Sequence, residues 1–139
     1  MAAGTAVCPR LAHLRSWRMN SFSELDLIEP LRRALDDLGF AQPTPVQAAA
    51  LPVILAGQDV IAQAPTGSGK TAAFGIGILN ALQADRIQCQ ALVLTPTREL
   101  ADQVGKAVRR LAVGIANVKL SVFAGGVSVA PHLASLQHP

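Results

Sequence analysis

The chain has 139 residues, half of them hydrophobic and only 15% charged. An average soluble domain carries about a quarter charged, so disordered, coiled-coil and low-complexity readings are excluded, and one core is expected. Twelve Lys or Arg oppose nine Asp or Glu, but the surplus lies in Arg10, Arg15 and Arg18, so the rest is formally neutral and net charge names no partner.

The first eighteen residues have neither a secretory apolar core nor helical periodicity. They read as a disordered or mis-called N-terminal extension, with Met19 opening the body; arginines without acids also faintly suggest a transit peptide. Pro30 to Phe40 then predicts a short amphipathic helix, with Leu31, Ala34, Leu35 and Leu38 on one face and Gly39 closing it. Thr44-Pro45 caps a second helix through Leu51, with Pro52 expected to break it.

Three apolar runs follow at intervals of about thirty residues: Asp59 to Gln63, Gln90 to Leu94 and Val118 to Phe123. Helical patterns separate them, roughly Lys70 to Gln83 and Thr97 to Leu111, and another candidate spans Val129 to Gln137. The order β-α-β-α-β predicts an α/β fold with a right-handed, mostly parallel sheet covered by helices on both faces. Three strands leave an exposed edge, and the chain reads as cut short. The uncharged stretch from Thr71 to Ala84 falls below the roughly 18 to 20 apolar residues that cross a bilayer, so no membrane span is expected.

Cys8 and Cys89 are too few for a disulfide framework or a zinc site, and His13, His132 and His138 have no partners at ligand spacing. No metal cluster is expected, and a reducing cytoplasm is the default location.

The segment with the most chemistry is Ala64-Pro-Thr66-Gly67-Ser68-Gly69-Lys70-Thr71, placed after a predicted strand and opening a helix. Glycines let backbone amides converge on phosphate oxygens, Lys70 neutralises the outer phosphates, and the Thr71 hydroxyl suits Mg²⁺. Ala64 replaces the first glycine of the general pattern. Upstream, Gln47 has the amide geometry to pair with N6 and N7 of adenine, and Phe40 can stack on the ring; a solvated helix position and a core aromatic are the alternatives. Pro96-Thr97-Arg98 and Gly125-Gly126 each follow a predicted strand, at the sheet edge where open α/β folds bind ligands. For Arg98, anion binding competes with an i,i+4 pair to Asp102, and Thr97 reads as a helix cap.

Taken together, Phe22, Gly-Phe-x-x-Pro-Thr-x-x-Gln, Ala-Pro-Thr-Gly-Ser-Gly-Lys-Thr, Pro-Thr-Arg-Glu-Leu and Gly-Gly, in that order and spacing, resemble the DEAD-box RNA helicases over residues 22 to 139. The resemblance is to a bacterial branch of the family, and it implies a P-loop, RecA-like fold over residues 19 to 139, truncated within the first RecA-like domain. It further implies ATP contacts at Phe22, Phe40, Gln47, Ala64, Thr66, Gly67, Ser68, Gly69, Lys70 and Thr71, with Thr71 on Mg²⁺. RNA-backbone contacts would fall at Pro96, Thr97, Arg98, Gly125 and Gly126, the RNA being ribosomal in the complete protein, which is expected to be a cytoplasmic monomer.

The sequence departs from the family in having no Asp-Glu-Ala-Asp, no Ser-Ala-Thr and no second-domain motif, so no catalytic carboxylate is visible. An RNA helicase part is thus the expected function, with RNA-stimulated ATP hydrolysis and unwinding belonging to the complete protein and little activity in this stretch alone. The rivals are another P-loop NTPase and an inactive truncated product that aggregates through a bare sheet edge.

Overall fold

The computed structural model describes residues 19–86, 88–126 and 130. The extension before Met19 and nearly all of the Val129–Gln137 helix candidate lie outside them.

Ser21 starts a 3-10 turn, Phe22–Glu24, closed by a capping box in which the Glu24 carboxylate accepts from the Ser21 amide at 3.1 Å. Among the described residues the helices that follow are α1 (Glu29–Asp37), α2 (Pro45–Leu55), α3 (Lys70–Ala81) and α4 (Arg98–Leu111). Three of them, α1, α2 and α4, begin where cap chemistry or a proline dictates. Pro30 sits in the first turn of α1 and Pro45 in that of α2, while Thr97 accepts the Leu100 amide at 3.2 Å to cap α4.

α2 continues past Pro52, where the sequence predicted a break. The ring removes one helical donor, but Leu51 and Val53 on either side are buried at 0% and 4% exposure. Burial of two such side chains contributes about 3 to 6 kcal/mol, enough to offset the roughly 3 kcal/mol of an internal proline.

The core is a layer of helix contacts centred on α3, which packs against α1, α2 and α4. Met19, Phe22, Leu25 and Leu27 join Leu31, Leu35, Leu51, Ile76, Leu79, Val104, Val108 and Leu111 in one apolar cluster. α3 reads as almost uniformly apolar because it is covered on several sides, and it meets α2 at Gly77, where a Cβ would collide with Ile54 Cγ2. At its far end, Asn80 accepts the Ile28 amide at 2.8 Å and donates to the Asp26 carbonyl at 3.1 Å.

The runs predicted as strands precede α3, precede α4 and follow α4 as expected, but none forms a strand among the described residues. A parallel strand needs a neighbour within about 4.8 Å to take up its backbone donors and acceptors. Here residues of both runs, among them Asp59, Val60, Ala91, Val93 and Leu94, line an open cleft of about 1230 Å³ together with residues of α2, α3 and α4. The two runs do not pair with each other, and Leu92 and Leu94 stay 78% and 84% exposed. The third run lies against α4: Arg109 Nη2 donates to the Leu120 carbonyl at 3.1 Å, and a Cβ at Gly105 would fall 2.7 Å from Val122 Cγ2.

Candidate functional site

The loop Ala64–Gly69 runs into the first turn of α3, whose N-cap, Gly69, has φ +92° and no capping side chain. The first-turn amides of α3 therefore face outward without a side-chain acceptor, the arrangement that receives an anion. Gly67 also has a positive φ, +80°, and open space where a Cβ would stand. Gly69 is constrained twice, because a Cβ there would also collide with Gln47 Nε2.

Lys70 folds back over this loop. Its ammonium donates to the carbonyls of Ala64 at 2.5 Å and Pro65 at 2.7 Å, with Ser68 Oγ at 3.5 Å. The cation thus lies inside the loop's curve, solvated by backbone oxygens, and Thr71 follows half-buried in the first turn. Thr66 and Gly67 are exposed at the tip, and Ala64 and Ser68 are half-buried.

Thr44 and Gln47 reach the loop from the start of α2. They form a capping box, the Thr44 amide donating to Gln47 Oε1 at 2.9 Å and the Gln47 amide donating to Thr44 Oγ1 at 3.4 Å. Their remaining groups cross to the phosphate loop: Thr44 Oγ1 donates to the Ser68 carbonyl at 2.7 Å, and Gln47 Nε2 donates to the Gly69 carbonyl at 3.2 Å. Gln47 is 2% exposed. Of its amide, one N–H and one oxygen lone pair stay unused by these bonds, the pair of groups that a bidentate contact to adenine needs.

Phe22 and Phe40 meet edge to face with ring centroids 5.9 Å apart. Phe22 is buried and Phe40 half-buried, so Phe22 backs Phe40 rather than offering a face of its own. Phe40 lies four residues before Thr44, which ties the aromatic pair by a short connection to the α2 start.

On the other predicted surface, Thr97 caps α4 as expected, and Thr95 Oγ1 donates to the Thr97 carbonyl at 3.2 Å. Pro96, Thr97 and Arg98 are exposed, as are Gly125 and Gly126. Arg98 Nη1 lies 3.5 Å from where a Cβ of Gly126 would stand, so the structure brings the two segments together although 28 positions separate them in the chain. The i,i+4 pair of Arg98 with Asp102 does not form among the described residues, where the ion pair is Glu29–Arg33 at 2.9 Å.

Two residues escaped the sequence reading. Thr44 read only as a helix cap, yet it also holds the loop; Thr-x-x-Gln is a capping-box signature that would have paired it with Gln47. Asn80, a polar residue in an apolar helix, gave no local signal of its two bonds to residues 26 and 28. Among the described residues no group of three His, Cys, Asp or Glu side chains is placed to hold a metal ion, and no helix is long and apolar enough to cross a membrane.

A DEAD/DEAH box helicase family model matches residues 44–139. The chain is 54% identical over 121 residues to the ATP-dependent RNA helicase DbpA of Escherichia coli, covering 86% of this chain and 26% of that one. It is 46% identical over 110 residues to the ATP-dependent rRNA helicase RRP3 of Eremothecium gossypii, covering 79% and 22% respectively. Among solved structures, a DEAD box protein from Methanococcus jannaschii superposes with a TM-score of 0.80 at 36% identity, over 85% of this chain and 32% of that one. The RNA helicase Prp28 from Chaetomium thermophilum, bound to ADP, gives 0.73 at 34% identity, over 86% and 30%. The chain thus spans about a quarter to a third of these relatives, with their RecA-like fold. With a glycine-rich loop opening α3, a capping box hydrogen-bonded to it and a family match over residues 44–139, this chain belongs to the DEAD/DEAH box helicase family.

Proposed function

We propose that this chain supplies the ATP-binding part, and one edge of the RNA-binding surface, of an ATP-dependent RNA helicase. The observation that carries the reading is the contact of Gln47 and Thr44 with Gly69 and Ser68, which joins a base-reading candidate to the phosphate loop in one hydrogen-bonded unit. The loop fits a nucleoside triphosphate: its two positive-φ glycines leave room for oxygens, the α3 amides face out, and Lys70 is within reach. Bound Mg²⁺·ATP would supply a phosphoryl group for transfer to water.

The residues then divide the work. Lys70 exchanges the carbonyls of Ala64 and Pro65 for phosphate oxygens, a charge-assisted contact stronger than the one it gives up. Thr71 offers its hydroxyl to the metal. Gln47 holds Gly69 on one side and has an N–H and a lone pair left for adenine, while Phe40, backed by Phe22, offers a stacking face. Thr97, Arg98 and the bare amides of Gly125 and Gly126 suit a phosphodiester backbone, which they contact without reading sequence. Ribosomal RNA as the substrate of the complete protein, a cytoplasmic location and a monomeric state belong to the same reading. Support for the RNA comes from relatives named as an RNA helicase and an rRNA helicase.

Mg²⁺·ATP titration of the native chain and of Lys70→Ala tests this directly. Binding that Lys70→Ala abolishes is expected; equal binding by both chains would sink the reading.

A further inference from the structure

α3 carries the phosphate loop at one end and Asn80 at the other, ten residues and so about 15 Å along the axis. At that distance Asn80 touches no part of a nucleotide held by the loop. It does touch the segment on which the aromatic pair hangs. Its carboxamide takes the Ile28 amide at 2.8 Å and the Asp26 carbonyl at 3.1 Å, two bonds across 52 and 54 positions of chain.

Both rings depend on that segment. Phe22 lies four residues before Asp26, with Leu25 and Leu27 buried between and beyond. Ile28 is the N-cap of α1 and has no side-chain cap of its own, so Asn80 sets where α1 starts relative to α3. α1 in turn delivers Phe40, whose amide donates to the Leu35 carbonyl at 2.9 Å just past the helix end. Arg32 Nη2 adds a contact to the Leu25 carbonyl at 3.3 Å, but that bond joins the segment to α1, and apolar packing, which has no direction, is what else holds it to α3.

We propose that Asn80 is a positioning residue for base recognition, holding the Phe22–Phe40 pair at a fixed offset from the phosphate loop by clamping residues 26–28 to the loop's own helix. The inference rests on the ATP-binding reading and concerns its purine end alone. Phosphate binding is local to residues 64–71 and does not pass through Asn80. Base stacking on Phe40 does, because a shift of segment 22–28 moves the ring relative to phosphates held elsewhere.

The test is isothermal titration of ATP, GTP and inorganic tripolyphosphate, each with Mg²⁺, into the native chain, Asn80→Ala and Asn80→Asp. The native chain should bind ATP more tightly than GTP or tripolyphosphate. Asn80→Ala should weaken ATP three- to tenfold and leave tripolyphosphate within twofold. Asn80→Asp keeps an acceptor for Ile28 but sets an oxygen against the Asp26 carbonyl, and should weaken ATP at least as much. Unchanged ATP affinity in both variants, or an equal loss for all three ligands, overturns the assignment, the second outcome making Asn80 a structural residue. A native chain with no preference for ATP over tripolyphosphate overturns the adenine reading itself, and Asn80's role with it.

Discussion

Gln47 Nε2 and the Gly69 carbonyl are 3.2 Å apart, bonded across 22 positions, with Gln47 2% exposed. The glutamine is therefore part of the support of the glycine-rich loop before α3. Because its Oε1 also takes the Thr44 amide, one side chain both caps α2 and holds the start of α3. Loss of the amide affects two helix ends together.

Gln47→Ala should lower the stability of the chain by about 1 to 2 kcal/mol, the loss of two hydrogen bonds to half-buried backbone groups together with the space left by a buried side chain. Gln47→Glu should be at least as damaging when ionised, since a carboxylate has no donor for the Gly69 carbonyl. Urea unfolding of the three chains measures the effect. In ATP and GTP titrations, both variants should also narrow the preference for ATP; undiminished discrimination would remove Gln47 as the base reader.

Lys70→Ala should remove detectable triphosphate binding while changing the melting temperature little. Its ammonium is satisfied by exposed or half-buried loop carbonyls that water can take over. Charge-assisted bonds to phosphate contribute about 1.5 to 3 kcal/mol each, so their loss lowers affinity by one to two orders of magnitude per bond. Titration and a thermal melt on the same preparation give both numbers.

Gly77→Ala has a sign that packing decides. In an exposed helix interior the change stabilises by about 1 kcal/mol. Here the new methyl would collide with Cγ2 of Ile54, a β-branched side chain with little rotamer freedom in α2. The substitution should destabilise by about 1 to 3 kcal/mol, and Ile54→Ala should relieve most of it. A double-mutant cycle in urea with no coupling between the two sites would show that α2 and α3 do not meet there.

Arg98→Ala should weaken single-stranded RNA binding by the complete helicase across all sequences and reduce its salt dependence by about one ion. Gly126→Ala should weaken it as well, because a φ of +79° strains any residue with a side chain and would shift the segment that meets Arg98. Fluorescence anisotropy at several salt concentrations reads both; a sequence-selective loss would assign Arg98 to base contact instead.

Leu92→Lys with Leu94→Lys should suppress concentration-dependent association of this chain without lowering its melting temperature. Both side chains are largely exposed on a run with no charge from Gln88 to Arg98's predecessor, Thr97, and charges on such runs block edge pairing. Light scattering across a dilution series measures it.

The helices and the phosphate loop were legible in the sequence because their signals are local. Thr97 caps α4, prolines open α1 and α2, and Gly67 and Gly69 stand where a positive φ is required, all set by contacts within a few residues.

What remained was decided by groups far apart in sequence. Pro52 inside α2 depends on burial supplied by other parts of the core, which outweighs a local breaking signal. The apolar runs at 59–63 and 90–94 have strand composition, but a ladder needs a second backbone at hydrogen-bonding distance, and here both runs line an open cleft instead of pairing. The bonds of Thr44 to Ser68, Gln47 to Gly69 and Asn80 to Asp26 and Ile28 link positions 22 to 54 apart, and no periodicity or cap rule reaches that far. Composition and spacing determined where the glycine-rich loop turns and which segments coil into helices; tertiary packing alone decided which side chains brace them, because a hydrogen bond between distant residues exists only once the chain has brought its two ends together.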